Sequence, residues 1–166
     1  GVDGATGLTG ATGPTGAGGA NGYVGAFYDT LTRQASVANI GYPIQLNTTD
    51  ISNGVSVQNG TQITVANTGT YDIQFSLQLH NTGGGGAGTE VTIWLAKNGT
   101  NVDWSNTNIT LANNNTLQVA AWNFVEELNA GDFLELKINV TDTNIVIFAE
   151  PPASSPTRPG IPSSII

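Results

Sequence analysis

Reactive side chains are scarce in this sequence, and that narrows the chemistry open to it. There is one histidine, His80, and neither cysteine nor methionine among 166 residues. A nucleophile-activating base would have to be His80, and a triad is recognised by geometry, not by the presence of its members. His80 falls in the polar phase of an alternating run beside a glycine loop, where a solvated or subunit-facing imidazole is expected. The one adjacent carboxylate pair is Glu126-Glu127. Neighbours on a strand point to opposite faces, so these two cannot flank a glycosidic bond by themselves. A pair assembled from separate elements, such as Asp103 with Asp142, is the remaining hydrolase arrangement, against the simpler reading of solvated acids in turns. No phosphate-binding loop, nucleotide fingerprint, His-Glu-x-x-His or EF-hand spacing occurs. Without cysteine there is no thiolate zinc site. Three oxygen-rich segments (47–50, 113–115 and 141–144) carry calcium-type ligands. Asn and Asp are equally what turns require, and the turn reading is preferred. The expectation is a chain that is not an enzyme, with no catalytic, cofactor-binding or metal-binding residues.

The aromatic candidates for function are Trp94, Trp104 and Trp122. Trp94 stands between Ile93 and Leu95 and is expected to point away from their face, and Trp122 is read the same way. An aromatic on the second face of a sandwich strand often packs against a neighbouring subunit, and a sugar-stacking platform is the alternative.

Charge excludes further classes. Twelve acidic residues face four cations, giving a net charge of −8, and Arg33, Lys97, Lys137 and Arg158 are widely separated. Nucleic-acid binders cluster cations to displace phosphate counterions, so no nucleic-acid partner is expected, nor an anionic membrane surface. No apolar run is long enough to insert in a bilayer. The absence of disulfides leans towards a bacterial or viral source.

What elements would position such a polar, weakly charged surface? Glycine occupies positions 1, 4, 7, 10, 13, 16, 19 and 22, with residues such as Ala-Thr, Leu-Thr and Pro-Thr between. A strict three-residue glycine period is the requirement of a collagen triple helix, because only hydrogen fits where each chain crosses the axis. Gly1, Gly4, Gly7, Gly10, Gly13, Gly16, Gly19 and Gly22 are therefore read as triple-helix glycines, with Gly25 continuing the register. Flexible linkers do not keep register. Pro14 is the only proline of the triplets, so the helix is weak alone and needs a trimeric neighbour to hold its strands together. Residues 1–22 would span roughly 70 Å at ~3.1 Å per residue. The chain opens inside a repeat, so further residues upstream are expected.

From Tyr23 onward short alternating runs replace the triplets. Val24 to Tyr28, Ile40 to Leu46, Val55 to Val57, Gln62 to Val65, Tyr71 to Leu79, Thr116 to Leu128, Phe133 to Val140 and Asn144 to Glu150 read as strands, with a further strand around Val91 to Leu95. Asn59-Gly60 and Asn98-Gly99 are hairpin turns, since both residue types tolerate positive φ. No 3.6-residue apolar period appears. The expected fold is all-β, a sandwich or jelly roll over 23–150, followed by a Pro/Ser-rich segment, 151–166, with a terminal strand.

Three motifs occur in order: Gly69-Thr70-Tyr71-Asp72-Ile73-Gln74-Phe75, then Leu95-Ala96-Lys97-Asn98-Gly99, then Leu128-Asn129-Ala130-Gly131-Asp132-Phe133-Leu134-Glu135-Leu136. Together they resemble the C1q/TNF-like jelly roll, in which a collagen-like stalk often precedes the head. The calcium ligands of some such heads have no match here. Ala120 to Phe124 and the tail Ser155 to Ser163 resemble virion structural proteins of tailed bacteriophages. These resemblances imply a homotrimer and a virion fibre, spike or decoration protein at the particle surface. Other virion proteins and a host-surface polysaccharide are the implied partners, with binding placed in the outer loops, 81–89 and 105–116. A bacterial surface or spore-coat filament of the same build is the alternative, and a glycan depolymerase the third reading.

Overall fold

The computed structural model describes residues 22–83, 88–112 and 115–166. The triplet glycines from Gly1 to Gly19 and parts of the two outer loops lie outside these residues. Sixteen strands follow one another, with no helix among the described residues: β1 (Val24–Asp29), β2 (Arg33–Gln34), β3 (Tyr42–Pro43), β4 (Thr48–Asn53), β5 (Val55–Gln58), β6 (Gln62–Val65), β7 (Gly69–Asn81) and β8 (Thr89–Lys97). They continue with β9 (Thr100–Asn101), β10 (Thr107–Leu111), β11 (Leu117–Leu128), β12 (Phe133–Val140), β13 (Ile145–Ile147), β14 (Ala153–Ser154), β15 (Thr157–Arg158) and β16 (Ser164–Ile165).

Two seven-stranded sheets form the layers. The first runs β2-β13-β7-β16-β1-β4 with β11 on β7, and the second runs β10-β8-β12-β6-β5 with β3 on β12 and β9 on β8. The chain passes from β6 in the second sheet to β7 in the first, back to β8 and β10, across to β11, and back again to β12. This alternation between layers is consistent with a jelly roll. Alternating side chains fill the space between: Phe75, Leu77 and Leu79 from β7 meet Val91, Ile93, Leu136 and Ile138 from β8 and β12. A second cluster around Phe27, Ile63, Val65, Leu95, Leu128 and Leu134 fills the rest, and Phe124 and Ile166 touch both clusters.

The hairpin turns have a direct backbone cause. Asn59 and Gly60 have φ of 53° and 73°, and Asn98 and Gly99 have 51° and 81°. These are the left-handed values a two-residue hairpin requires, and Asn and Gly reach them at least cost.

Several elements differ from the sequence expectation. The run from Ile40 to Leu46 is a strand only over Tyr42–Pro43. Pro43 has no N–H to donate, and beyond it the backbone bonds diverge, Ile44 to Leu136 and Leu46 to Gly60, both at 2.8 Å. Asn144 to Glu150 shortens to Ile145–Ile147: Phe148 N still donates to Gln78 O, but Gln78 N donates to Ser163 O, and Glu150 pairs with Ile161 instead. Thr48 to Asp50, counted among oxygen-rich loops, are strand residues: Thr48 and Thr49 pair with Tyr28 and Phe27 of β1, and Asp50 falls where the register shifts. The 151–166 segment is no appendage: β16 lies between β1 and β7. Phe27 and Ile166 exchange both backbone bonds, at 2.8 and 2.9 Å, and Gln78 N donates to Ser163 O at 2.9 Å.

Candidate functional site

The long pair β7/β11 sets the geometry of one outer face. Its register places Leu117 opposite His80, Val119 opposite Gln78, Ala121 opposite Ser76, Asn123 opposite Gln74 and Val125 opposite Asp72. The other phase of β11, Ala120, Trp122, Phe124 and Leu128, packs inward. Both phases of this strand are therefore largely apolar, which is the pattern of a strand covered on two sides. Among the described residues only the inner side is covered. Leu117, Val119 and Val125 are 62%, 54% and 63% exposed, and Ile165 on β16 is 44% exposed. Ile165 stands between Ser76 of β7 and Tyr28 of β1, so the polar outward side chains of β7 separate it from the apolar row on β11. A cleft of about 650 Å³ adjoins Ile165, lined also by Tyr28, Pro152, Ile161 and Pro162 among others.

The charge on this face is muted. Asp72 accepts from Asn123 Nδ2 at 2.8 Å and from Gln74 Nε2 at 2.9 Å. Those two amide donors hold its carboxyl below the usual aspartate range. His80 shares the face: its Nε2 is 3.0 Å from Asn115 Oδ1 and its ring sits edge-on to Phe148. Its Nδ1 is buried without a hydrogen-bond partner.

The outer face of the second sheet is built differently. Outward positions of β5, β6, β8 and β12 carry Ser56, Gln58, Thr64, Glu90, Thr92, Glu135, Lys137 and Asn139. Ala96 and Trp94 are the apolar exceptions: Ala96 is fully buried, and Trp94 lies between buried Ile93 and Leu95 and so on the outer side, as the alternation requires. Its Nε1 donates to Asn101 Oδ1 at 2.8 Å. The ring lies so close to Gly41 that a Cβ there would come within 2.8 Å of it.

The three tryptophans thus have three different settings. Trp122 does not face outward as its neighbours suggested. It meets Phe75 edge-on at 4.5 Å and packs on the main core cluster, because it is in phase with Ala120 and Leu128. Trp104 is fully exposed in the turn between Val102 and Ser105, with φ of 62°. The sequence carries no turn signal at Trp104, since a bulky residue there runs against backbone preference.

Of the triple-helix glycines only Gly22 is among the described residues, with open space around it. Gly25 has a separate reason to be glycine: a Cβ would approach the Phe27 ring to 2.5 Å. Glu126 and Glu127 occupy opposite phases of β11. In the 141–144 segment the Asp142 carboxylate accepts from Asn144 N at 2.9 Å, a turn-closing bond of the kind that makes Asp common in turns. No group of three or more His, Asp or Glu able to hold a metal occurs among the described residues. No protein-family model matches the sequence, and comparison with curated proteins finds no match.

Proposed function

We propose that the chain is a homotrimeric fibre, spike or decoration protein of a tailed-phage virion. In this reading a C1q/TNF-like head is carried on a collagen-like stalk, and the assembly adheres to the host surface. The observation that carries the reading is the outward apolar face of the β7–β11 sheet. Leu117, Val119 and Val125 are exposed in one row on β11, and Ile165 is exposed on β16 across the polar outward side chains of β7, while the outward positions of β12 carry Glu135, Lys137 and Asn139. Covering what remains exposed of each such side chain is worth about 1 kcal/mol, so a few of them in each of three interfaces drive association. The occupant best matched to the face is a second copy of the chain. A triple-helical stalk requires three chains in register, and a face that closes a three-fold ring supplies them.

β1 begins at Val24, two residues after Gly22, and Tyr23 and Val24 at the stalk junction are exposed apolar residues. Stalk and head face therefore join without a linker, as a continuous fibre needs. The remaining surface, rich in Asn and Thr, is left for contact with host polymer.

The test is gold-labelled antibody against the head, applied to tailed particles produced by a strain that carries the gene. Label at fixed positions on the particle is expected. Label confined to cell walls or spore coats would replace the virion reading with the bacterial filament.

A further inference from the structure

Trp104 breaks two rules of the fold at once. The Val102–Ser105 turn closes with Ser105 N donating to Val102 O at 3.4 Å, and Trp104 is its third residue, with φ of 62°. A positive φ at that position ordinarily goes to Gly or Asn, because a Cβ is strained there. The indole is also fully exposed, so it gains no burial in return. Fold stability therefore gives no reason for tryptophan at this point, and unrewarded strain of this kind marks a functional position.

The exposure is not looseness. Ser105 is buried, and its Oγ donates to Val102 O at 2.7 Å and accepts from Leu95 N at 3.1 Å. Val102 N donates to Leu95 O at 2.9 Å, and the Val102 side chain packs on the second core cluster. Both ends of the turn are thus fastened to Leu95 of β8, and the backbone that carries the indole is anchored.

Around it lie Thr100, Asn101, Asp103, Asn106 and Thr107, all exposed. There is no second exposed apolar side chain in the turn and no cation. The nearest lysine in sequence, Lys97, is engaged with Glu127 O at 2.7 Å and with Asp132 at 3.4 Å. A protein partner is met by apolar anchors grouped together, with charges kept to the rim. A single ring set among amides, hydroxyls and one carboxylate instead matches a pyranose, whose C–H face stacks on the indole while its hydroxyls find donors and acceptors. Asp103 and the net charge of −8 oppose acidic polymers. We infer that the Val102–Ser105 turn is a carbohydrate-binding site for an uncharged polysaccharide, with Trp104 as its stacking platform. The inference rests on the host-adhesion reading and assigns that role to one turn.

The experiment titrates the full chain and its Trp104→Gly variant with maltoheptaose, cellohexaose, laminarihexaose, mannohexaose and chitohexaose, with polygalacturonate as the anionic comparison. Indole fluorescence and calorimetry report binding, and light scattering and melting are measured on the same samples. At least one neutral probe is expected to bind with millimolar affinity and shift the emission to shorter wavelength. Trp104→Gly should weaken it about tenfold or more. The same variant should keep the wild-type mass and melt at or above the wild-type temperature, since glycine suits the turn. No binding by any neutral probe, equal binding by the variant, binding of polygalacturonate alone, or a changed mass each overturns the assignment. Retention of both proteins on bacterial cells is measured alongside. If both are retained equally, adhesion stands and this site falls, whereas if neither is retained and no probe binds, both fall.

Discussion

The two outer faces of the sandwich have the same backbone geometry and opposite chemistry. On the first sheet, outward positions of β11 carry exposed Leu117, Val119 and Val125, with Ile165 exposed on β16, whereas outward positions of the second sheet carry half-buried Thr92, Lys137 and Asn139 and buried Glu135. A sheet with one solvated side ordinarily alternates apolar inward and polar outward, as β12 does with Leu136 and Ile138 inside and Lys137 outside. Strand β11 departs from that rule at Leu117, Val119, Ala121 and Val125, with Asn123 and Glu127 as its polar outward positions. The difference teaches that water alone does not account for the outward phase of β11, and in the proposed trimer its second neighbour is another copy of the chain.

The largest expected effect comes from charging the apolar face. Replacing both Val119 and Val125 with Glu should dissociate the assembly into folded single chains, with the far-ultraviolet spectrum of the sandwich retained and the mass by light scattering falling threefold. Thr64→Glu with Thr92→Glu on the polar face should leave the mass unchanged. Equal behaviour of the two pairs would erase the distinction between the faces.

Trp122 and Val125 sharpen the comparison within one strand. Trp122→Ala should destabilise each chain by about 3 kcal/mol in urea unfolding, because the ring fills core space against Phe75. Val125→Ala should lower the assembly constant while leaving the stability of the isolated chain nearly unchanged. A fold lost through Val125 or an assembly lost through Trp122 would invert the two roles.

A smaller effect concerns acid. Asp132 ties two turns together: Asn98 Nδ2 donates to it at 2.8 Å and Asn129 N at 2.9 Å, with Lys97 at 3.4 Å. The Asn98 amide, the Asn129 backbone N–H and the nearby Lys97 hold its carboxyl below the ordinary aspartate value of about 3.9. A carboxyl lowered in the folded state stabilises the fold fully above that value and ceases to do so as pH falls through its folded pKa. Melting curves of wild type and Asp132→Asn should therefore differ at neutral pH and converge in acid. Because Asp132 lies at the end of the polar sheet, the assembly mass should not change. A difference independent of pH would remove the carboxylate from the account.

The smallest effect is at Trp104. Gly in its place should stabilise the chain by up to about 1 kcal/mol in the same unfolding assay, through relief of the left-handed strain. A clear loss of stability would show that the indole serves the fold.

What could be read in advance follows from which physical signal was local. The alternation from Tyr71 to Leu79 and the Asn-Gly pairs at 59–60 and 98–99 carry their own causes, period two and positive φ, and they hold in the structure. β4 is hidden because Thr48, Thr49 and Asp50 have turn composition, and the strand comes from pairing of Thr48, Thr49 and Ile51 to Asn53 with β1. β16 is two residues long and becomes a strand through partners on both sides, β1 and β7, far away in sequence. Trp122 was misdirected because both phases of β11 are apolar, so alternation alone does not say which is inside. Trp104 left no turn signal, since the residue that occupies the strained position is not one the backbone favours.

Mass by light scattering, on residues 1–166 and on a chain beginning at Tyr23, tests the central claim most directly. Assembly through the head face predicts three chains in both cases, which for the full sequence is three times 17.1 kDa. A single-chain mass for the protein beginning at Tyr23 would contradict it, leaving the glycine triplets as the only basis for association.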